Sequence, residues 1–271
     1  MIIKTVDWRV ATLFVQERHY SPVMPKLTKH WLGAYIDDKL IGILTLGWGT
    51  RPIHTIRKLF PELDTKDYYE IGKMCMDESM PRNSESQMLS KTIEWMKKNT
   101  PDRKYLYTWA DGIMGKPGFV YQAANFLYGG FIWTQIYISD KGEKIHPRSS
   151  RRLCDENVQF KLEREPDFFV GKKGKRIYWL TQDFLDHKGI SKIRGKQFRY
   201  ILPLNKKARK LLKKSKVKWT LEYPKEKDLV WDKSSVNGRE RLDKMPHIDG
   251  DMTEYNSKNV NAHRGTLEAF L

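Results

Sequence analysis

Residues 105–130 constrain the fold of this chain more than any other stretch. The run YLYTWA over 105–110 is rich in aromatic and β-favouring residues, which predicts a strand. Asp111 follows where this strand ends, and a glycine-rich loop spans residues 112–118. Beyond the loop, apolar residues recur at helical spacing over 120–127, which predicts a helix.

Two glycines, Gly129 and Gly130, predict the end of that helix. The stretch therefore places a carboxylate at the carboxyl end of a strand, with a glycine loop and a helix behind it. Open α/β sheets bind their ligands at such positions. Tyr121 and Gln122 lie in the first predicted helical turn, so we expect them at the same mouth.

Periodicity in the rest of the chain predicts the other elements. Their order is helix, two strands, strand, helix, strand, helix, strand, long insertion and strand. This order predicts a mixed α/β sheet built around a strand–helix–strand crossover. The predicted elements are a helix over 6–17, a β-hairpin over 31–47 turning at Asp37-Asp38, strands over 69–78, 131–139 and 198–204, a helix from Ser84, and a basic helix over 206–216, with 153–196 irregular.

The start of the helix at Ser84 is a second candidate site. Ser84 and Gln87 have the spacing of a capping box, with Ser84 as the N-cap residue. Arg82 and Asn83 precede them, and the free N–H groups and dipole of a helix N-terminus favour phosphate. The same residues also suit an ordinary capped helix, and the sequence leaves both interpretations open.

The balance of charge indicates a polyanionic partner. The chain carries 50 Lys and Arg against 33 Asp and Glu, a net charge of +17. Nucleic acid is the first candidate, and solubility alone is the alternative. Trp133 or Trp179 could stack on a displaced base. The predicted phosphate contacts, all in one basic stretch, are His146, Arg148, Arg151, Arg152, Lys172, Lys173, Lys175 and Arg176.

Composition also predicts the domain plan and the compartment. We expect one α/β domain over 1–216, with a basic insertion at 140–196, followed by a packed arm or partly disordered tail over 217–271. The two cysteines are far apart and in no metal-ligand spacing, which favours a reducing interior. The chain starts without a signal-peptide pattern and has no apolar run long enough for a bilayer. These features predict a soluble, cytoplasmic protein without a membrane partner.

The order of elements resembles the GNAT acyltransferase fold. In that fold an acyl-CoA lies between two splayed central strands, which here would be the strands over 69–78 and 105–110. The following helix, from Ser84, would receive the pyrophosphate. The usual GNAT glycine-rich pyrophosphate loop is replaced here by PRNSES over 81–86, a departure that disfavours an ordinary acetyl-CoA N-acetyltransferase.

Several motifs together resemble a narrower family, the Mom DNA-modification proteins of phages. The resemblance covers roughly residues 10–215, and the order of the motifs makes it specific. The matching motifs are RHYS over 18–21, Lys73-Met74, PRNSES over 81–86, Ala110-Asp111, Gly115, Gly118, YQA over 121–123, Asn125-Phe126, HPRS over 146–149 and Arg199-Tyr200.

This resemblance implies an enzyme that modifies the N6 amine of adenine in double-stranded DNA with a methylcarbamoyl group and so protects phage DNA from host restriction. Acetyl-CoA and iron are the implied cofactors, in the host cytoplasm. An enzyme that reaches a base edge must flip the adenine out of the duplex. The sequence leaves the oligomeric state open, a dimer included.

The resemblance also implies roles for individual residues. His19, Tyr20 and Asp111 match the family's proposed iron ligands, and imidazole, phenolate and carboxylate form a hard site that suits iron. Tyr121 matches a tyrosine at the acyl end of the cofactor, and Ser86 matches the active-site serine. Lys73 replaces an arginine, which keeps the charge and loses bidentate geometry. The implied cofactor-binding residues are Arg82, Asn83, Ser84, Ser86 and Tyr121, and the implied catalytic residues are Tyr121, Ser86, Asp111 and Lys73.

Two other functions and one structural alternative stay open. The chain could be a GNAT-type N-acetyltransferase of a protein or small amine, or a DNA-binding protein without catalysis. Structurally, His19 could cap a helix, Tyr20 could pack, and Asp111 could bind the backbone amides of the glycine loop.

Overall fold

The chain folds around one mixed sheet flanked by helices. This computed structural model describes residues 1–21, 23–49, 52–145, 151–168, 180–235 and 237–249, with backbone alone at 52–54 and 151. The elements are β1 (Ile2–Thr5), α1 (Trp8–Arg18), β2 (Thr28–Ile36), β3 (Lys39–Gly47), α2 (Pro52–Leu59), β4 (Tyr68–Met76), α3 (Ser84–Asn99), β5 (Tyr105–Ala110), α4 (Phe119–Ala123), β6 (Leu127–Ile138), β7 (Lys144–Ile145), α5 (Arg151–Arg164), α6 (Gln182–His187), β8 (Ser191–Pro203), α7 (Lys206–Leu211), β9 (Trp231–Ser235) and β10 (Gly238–Leu242).

The sheet runs in the order β1-β2-β3-β4-β5-β8-β6-β7, with β9 on β8 and β10 on β9. Every neighbouring pair is antiparallel except β4 and β5, which are parallel. That pair is short, because only Tyr68–Glu70 and Tyr105–Tyr107 face each other. β5 nevertheless pairs with β8 along its whole length, and β4 stays on β3. A wedge therefore opens between β4 and β5 towards their carboxyl ends.

Alternating side chains of the central strands face helices on both sides of the sheet. On one side, Ile43 and Cys75 pack with α1. On the other side, Leu44 packs in a cluster with Met88 and Leu89 of α3. Both faces of β3 are consequently buried, which explains its nearly continuous apolar sequence.

The α/β class and the splayed central strands predicted from the GNAT resemblance are confirmed. The hairpin turns at Asp37 and Asp38, both at positive φ, 48° and 60°. β4, β5 and the start of α3 lie where the patterns predicted them.

The predicted helix after the glycine loop is wrong in length. α4 ends at Ala123, and Asn125 adopts a φ of 58°, which turns the chain out of the helix. Gly129 and Gly130, predicted as a helix stop, lie inside β6. Their role is different there: Gly129 lies against the Trp219 ring, where a Cβ would come within 2.2 Å of a ring carbon. Tertiary pairing of β6 with β8 thus overrides the local apolar spacing.

The prediction that residues 153–196 are irregular is also wrong in the parts described. α5 and α6 occupy most of the described residues before β8, and Leu153 and Phe184 pack with Tyr137 of β6. Lys161 lies buried in α5, where Glu165 and Asp183 accept from its ammonium. A buried charge at a position that faces the core weakens the helical pattern in the sequence.

Residues 217–249 pack on the sheet. Thr220 bridges to Tyr128, and the Trp231 indole donates to the Ile113 carbonyl at 2.9 Å. The predicted domain boundary at residue 216 stays a prediction. In the described parts of the chain, no helix combines the length and the apolarity needed to span a membrane.

Gly118 provides a test of how the loop is seated on the sheet. Its φ is 95°, and an added Cβ would lie 2.7 Å from the Tyr200 ring and 2.8 Å from the Ala110 Cβ. We expect Gly118→Ala to lower the free energy of unfolding by about 3 kcal/mol, since strain and overpacking add. The control Gly130→Ala has a φ of 79° and open space, so it should cost only about 1 kcal/mol. Urea unfolding checks both, and equal losses would contradict the close seating of Gly118.

Candidate active site

The wedge between β4 and β5 is the mouth of a cleft of about 1540 Å³. The end of α1, the later half of β4, Asp111 and the loop before α4 line it together. These segments are distant in sequence and meet only because β4 and β5 separate. A site of this size accommodates a large ligand.

His19 lies at the point where α1 ends. Its backbone N–H donates to the Val15 carbonyl, and its backbone is extended. The Ser21 N–H donates to the imidazole Nδ1 at 2.9 Å, which fixes the ring against the next turn. Burial, as the largest cause, and the charges of Lys73 and Lys116 together lower the pKa of His19 to about 3. The imidazole is therefore neutral at physiological pH.

Tyr20 connects His19 to Asp111 across the cleft. Its ring stacks on the imidazole with centroids 4.3 Å apart. Its hydroxyl donates to Asp111 Oδ2 at 3.3 Å, although 91 residues separate the two. Burial and the nearby Asp111 carboxylate raise the pKa of Tyr20 well above its ordinary value, so this phenol keeps its proton.

The backbone carbonyl and the side-chain carboxylate of Asp111 make different contacts. Its backbone carbonyl accepts from the N–H groups of Met114 and Lys116, at 2.9 and 3.2 Å, and so starts the glycine loop. Its carboxylate turns to the cleft and accepts from Tyr20. The alternative in which the carboxylate binds loop amides is thus not what the described contacts show. Burial raises the pKa of Asp111, and Lys144 opposes that shift.

Three lysines surround this pair of rings and the carboxylate. Lys73 donates to the Ser21 carbonyl at 2.5 Å, and Lys144 donates to the Tyr20 carbonyl at 3.0 Å. The Lys116 ammonium lies 4.3 Å from the centre of the Tyr20 ring. Lys116 and Lys144 were not predicted as site residues. Lys116 carried a signal, because it belongs to the glycine loop, whereas the short strand β7 that carries Lys144 has no pattern of its own.

Tyr121 enters the cleft from the first turn of α4. Its ring lies between those of Phe126 and Tyr200, with centroids 5.6 Å from each. Burial raises the pKa of Tyr121, and the Asp111 charge adds to this. Its phenol is therefore a hydrogen-bond donor at neutral pH.

Tyr200 of β8 fixes the glycine loop through hydrogen bonds. Its hydroxyl donates to the Pro117 carbonyl at 2.6 Å and accepts from the Gln122 amide at 3.1 Å. Gln122 also donates to the Pro224 carbonyl, which ties the C-terminal arm to the same point. Tyr200 matched a family motif, but its position under the loop was not predicted.

The predicted capping box at the start of α3 is wrong. Asn83 is the N-cap residue, in a left-handed conformation with a φ of 72°, and no side chain caps the helix there. Ser84 is buried and donates its hydroxyl to the Pro81 carbonyl at 2.6 Å. The left-handed turn at Asn83 leaves Ser84 facing back towards the turn.

The cleft wall includes Glu85 of α3. It is the one residue of the PRNSES segment among the described residues that line the cleft. The other predicted cofactor residues of this segment, at the start of α3, do not line it: Arg82, Asn83, Ser84 and Ser86. Their predicted part in cofactor binding stays a prediction.

Most of the predicted phosphate contacts lie outside the described residues: His146, Arg148, Lys172, Lys173, Lys175 and Arg176. For Arg151 only the backbone, in α5, is described. Arg152 pairs with Glu156 at 3.3 Å, one helical turn away. The basic stretch therefore stays a predicted DNA contact.

The described residues do not fit the implied iron. His19, Tyr20 and Asp111 come together and offer suitable atoms, but the Tyr20 hydroxyl is engaged as a hydrogen-bond donor to Asp111. Three ammonium groups share the space with one carboxylate, and this excess of positive charge opposes a cation. Within the described chain, no group of three His, Cys, Asp or Glu side chains is placed to hold a metal.

Comparison with known sequences decides the family. The sequence model of the Mom protein family matches residues 1–225. The chain belongs to the Mom family. It is similar to methylcarbamoylase mom of Escherichia phage Mu, with 29% identity over 223 residues, 82% of this chain and 83% of that protein.

Solved structures show a weaker similarity. The GNAT family N-acetyltransferase YhbS of Escherichia coli, in complex with CoA, gives a TM-score of 0.34 and 12% identity over 46% of this chain and 67% of that one. A Bacillus subtilis acetyltransferase, in complex with CoA, gives a TM-score of 0.35 and 14% identity over 75% of this chain and 99% of that one. The description of the fold consequently rests on the sheet topology of the Mom-family chain itself.

Tyr200 tests whether the loop is positioned from β8. Tyr200→Phe removes the shorter donor to the buried Pro117 carbonyl, which keeps only the Gln122 amide at 3.4 Å, and it removes an acceptor of Gln122. We expect the free energy of unfolding to fall by about 1–3 kcal/mol. Chemical denaturation measures this, with Tyr35→Phe, a half-exposed tyrosine of β2, as the control. A loss no larger than that of the control would contradict the positioning role.

Proposed function

We propose that this chain is a DNA-modifying transferase that places an acetyl-CoA-derived group, the methylcarbamoyl group, on the N6 amine of adenine. The observation that carries the proposal is the meeting of Tyr20 and Asp111 at the mouth of the β4–β5 wedge, in a member of the Mom family. As proposed, the modification protects phage DNA from host restriction, and the enzyme works in the host cytoplasm.

The wedge between β4 and β5 is the proposed binding site of acetyl-CoA. An acyl chain entering between β4 and β5 would find the unpaired edges of both strands and the phenol of Tyr121. The pyrophosphate would lie at the start of α3, where the helix dipole favours an anion and Arg82 adds a positive charge. Ser86 offers a hydroxyl in the first turn of the same helix.

The cleft residues supply binding and proton transfer. N6 of adenine must lose a proton when it gains a new bond, and Asp111 is the proposed acceptor, because burial raises its pKa towards that of a working base. The phenol of Tyr121 and the ammonium of Lys73 would orient the acyl oxygen. Joining N6 to the methyl carbon of an acetyl group removes two electrons from that carbon, and converting the thioester to the amide takes up ammonia and releases the CoA thiol. The reaction therefore also uses a two-electron oxidant and an ammonia donor.

DNA is the proposed partner, with the target adenine extruded from the duplex. A duplex keeps the N6 amine in its base pair, and a cleft of this depth reaches it only after the base has flipped. The net charge of +17 provides the attraction for phosphates.

Nucleoside mass analysis tests the proposed activity. DNA from cells that express the chain should contain a heavier adenine nucleoside, whose mass identifies the added group. Asp111→Asn should reduce its yield by at least about 100-fold, since a positioned base contributes that much. The control Asp102→Asn changes an exposed carboxylate in the turn after α3 and should leave the yield unchanged. Unmodified DNA beside soluble protein would contradict the proposal and favour N-acetylation of another amine or binding alone.

Arg82 tests the proposed place of the cofactor. Arg82→Ala should weaken acetyl-CoA binding by roughly 10-fold in calorimetry, because it removes a charge-assisted contact to phosphate. Lys91→Ala, on α3 after Arg82 and paired with Glu94, is the control and should bind normally. Equal affinities for all three proteins would place the pyrophosphate elsewhere.

A further inference from the structure

Three consecutive residues in the middle of β6 are unusually exposed. Phe131, Ile132 and Trp133 expose 41%, 39% and 41% of their surface. Consecutive strand residues alternate between the faces of a sheet, so both faces are open to solvent here. Clustered exposed apolar side chains of this size mark binding surfaces.

Basic side chains from β8 cover the rings on one face. The Arg194 guanidinium lies 3.8 Å from the centre of the Trp133 ring, and the Lys196 ammonium lies 4.8 Å from that of Phe131. The strand register explains this, because Trp133 pairs directly with Lys196. The two rings meet edge to face at 5.6 Å. We call Phe131, Trp133, Arg194 and Lys196 the aromatic–basic patch.

The positive charges of the patch remain available to a partner. In the described part of the chain, neither Arg194 nor Lys196 forms an ion pair with a carboxylate, and Lys196 donates to the Asp228 carbonyl at 2.8 Å. A protein partner would need to supply both carboxylates and apolar side chains. A nucleic-acid strand supplies phosphates and the flat faces of bases in one molecule, which is the combination that this patch matches.

The patch lies beside the cleft. Ile132 pairs in register with Gln197, and Gln197 lines the cleft. Gln197 is also the next residue after Lys196, so the two side chains point to opposite faces of the sheet. In the described part of the chain, β7 pairs with β6 only at residues 137 and 138, so residues 131–133 lie at an edge of the sheet around which a DNA strand can pass from the cleft to the patch.

We propose that the aromatic–basic patch binds the part of the DNA strand that lies outside the cleft, with Trp133 stacking on an unpaired base and Arg194 and Lys196 contacting phosphates. This inference rests on the proposed function for the identity of the strand, but the binding that it predicts is independent of catalysis.

Equilibrium binding of the full chain to a fluorescent single-stranded oligonucleotide tests the patch. Phe131→Ala/Trp133→Ala should weaken binding by roughly 10-fold or more and leave the salt dependence unchanged, because stacking is lost and charge is kept. Arg194→Gln/Lys196→Gln should weaken binding and lower the slope of log K against log salt by about 1.4, the value for two phosphates on a single strand. Trp8→Ala, which removes a tryptophan 48% exposed on α1, should bind as the unchanged chain does.

If both double variants bind the oligonucleotide with the affinity and salt slope of the unchanged chain, the proposal is overturned. This holds also if a patch variant alters self-association of the chain. Thermal melting of each variant confirms that it is folded, and the single variant Trp133→Phe, which keeps a ring, should retain most of the affinity. Measuring modified adenine in parallel separates the two proposals. If the unchanged chain modifies adenine but the patch variants bind DNA normally, only the proposed role of the patch is refuted. Patch-dependent binding without any modified adenine refutes the proposed function alone.

Discussion

The early end of pairing between β4 and β5 is the feature on which the site depends. Only three residue pairs join these parallel strands, and β5 then continues along β8 while β4 continues along β3. Beyond that point the facing edges of both strands are free to bind something other than each other. Each of the two strands stays paired with its other neighbour, so the opening is a property of the strand pairing.

Charge decides what this opening can hold. Around Asp111 the ammonium groups of Lys73, Lys116 and Lys144 lie near a neutral imidazole, and burial keeps the phenols of Tyr20 and Tyr121 protonated, while Glu17, Glu70, Glu78 and Glu85 line other parts of the cleft. The groups around Asp111 attract anions and offer several donors to a carbonyl oxygen. It matches a cofactor that carries phosphates and a thioester, and a polyanionic substrate, better than it matches a free cation. The aromatic–basic patch continues the same charge along β8.

The sequence could predict the elements with strong local patterns and the residues at their ends. β3, β4 and β5 stand out by composition, and Asp111 stands out because it ends a strand before a glycine loop. The contact between Tyr20 and Asp111 depends on the sheet order, which no local pattern encodes. Lys144 and Tyr200 went unassigned for the same reason. α5 was missed because its buried Lys161 interrupts the apolar face, and Gly129 was misread because a tryptophan from the C-terminal arm sets its role.

A crystal structure of the chain with acetyl-CoA would test the central claim most directly. The account predicts that the thioester lies between β4 and β5, with the acetyl group next to the Tyr121 hydroxyl and the Asp111 carboxylate, and the pyrophosphate at the start of α3. Acetyl-CoA bound on another face of the sheet, or a wedge that stays free of cofactor at saturating concentration, would contradict it.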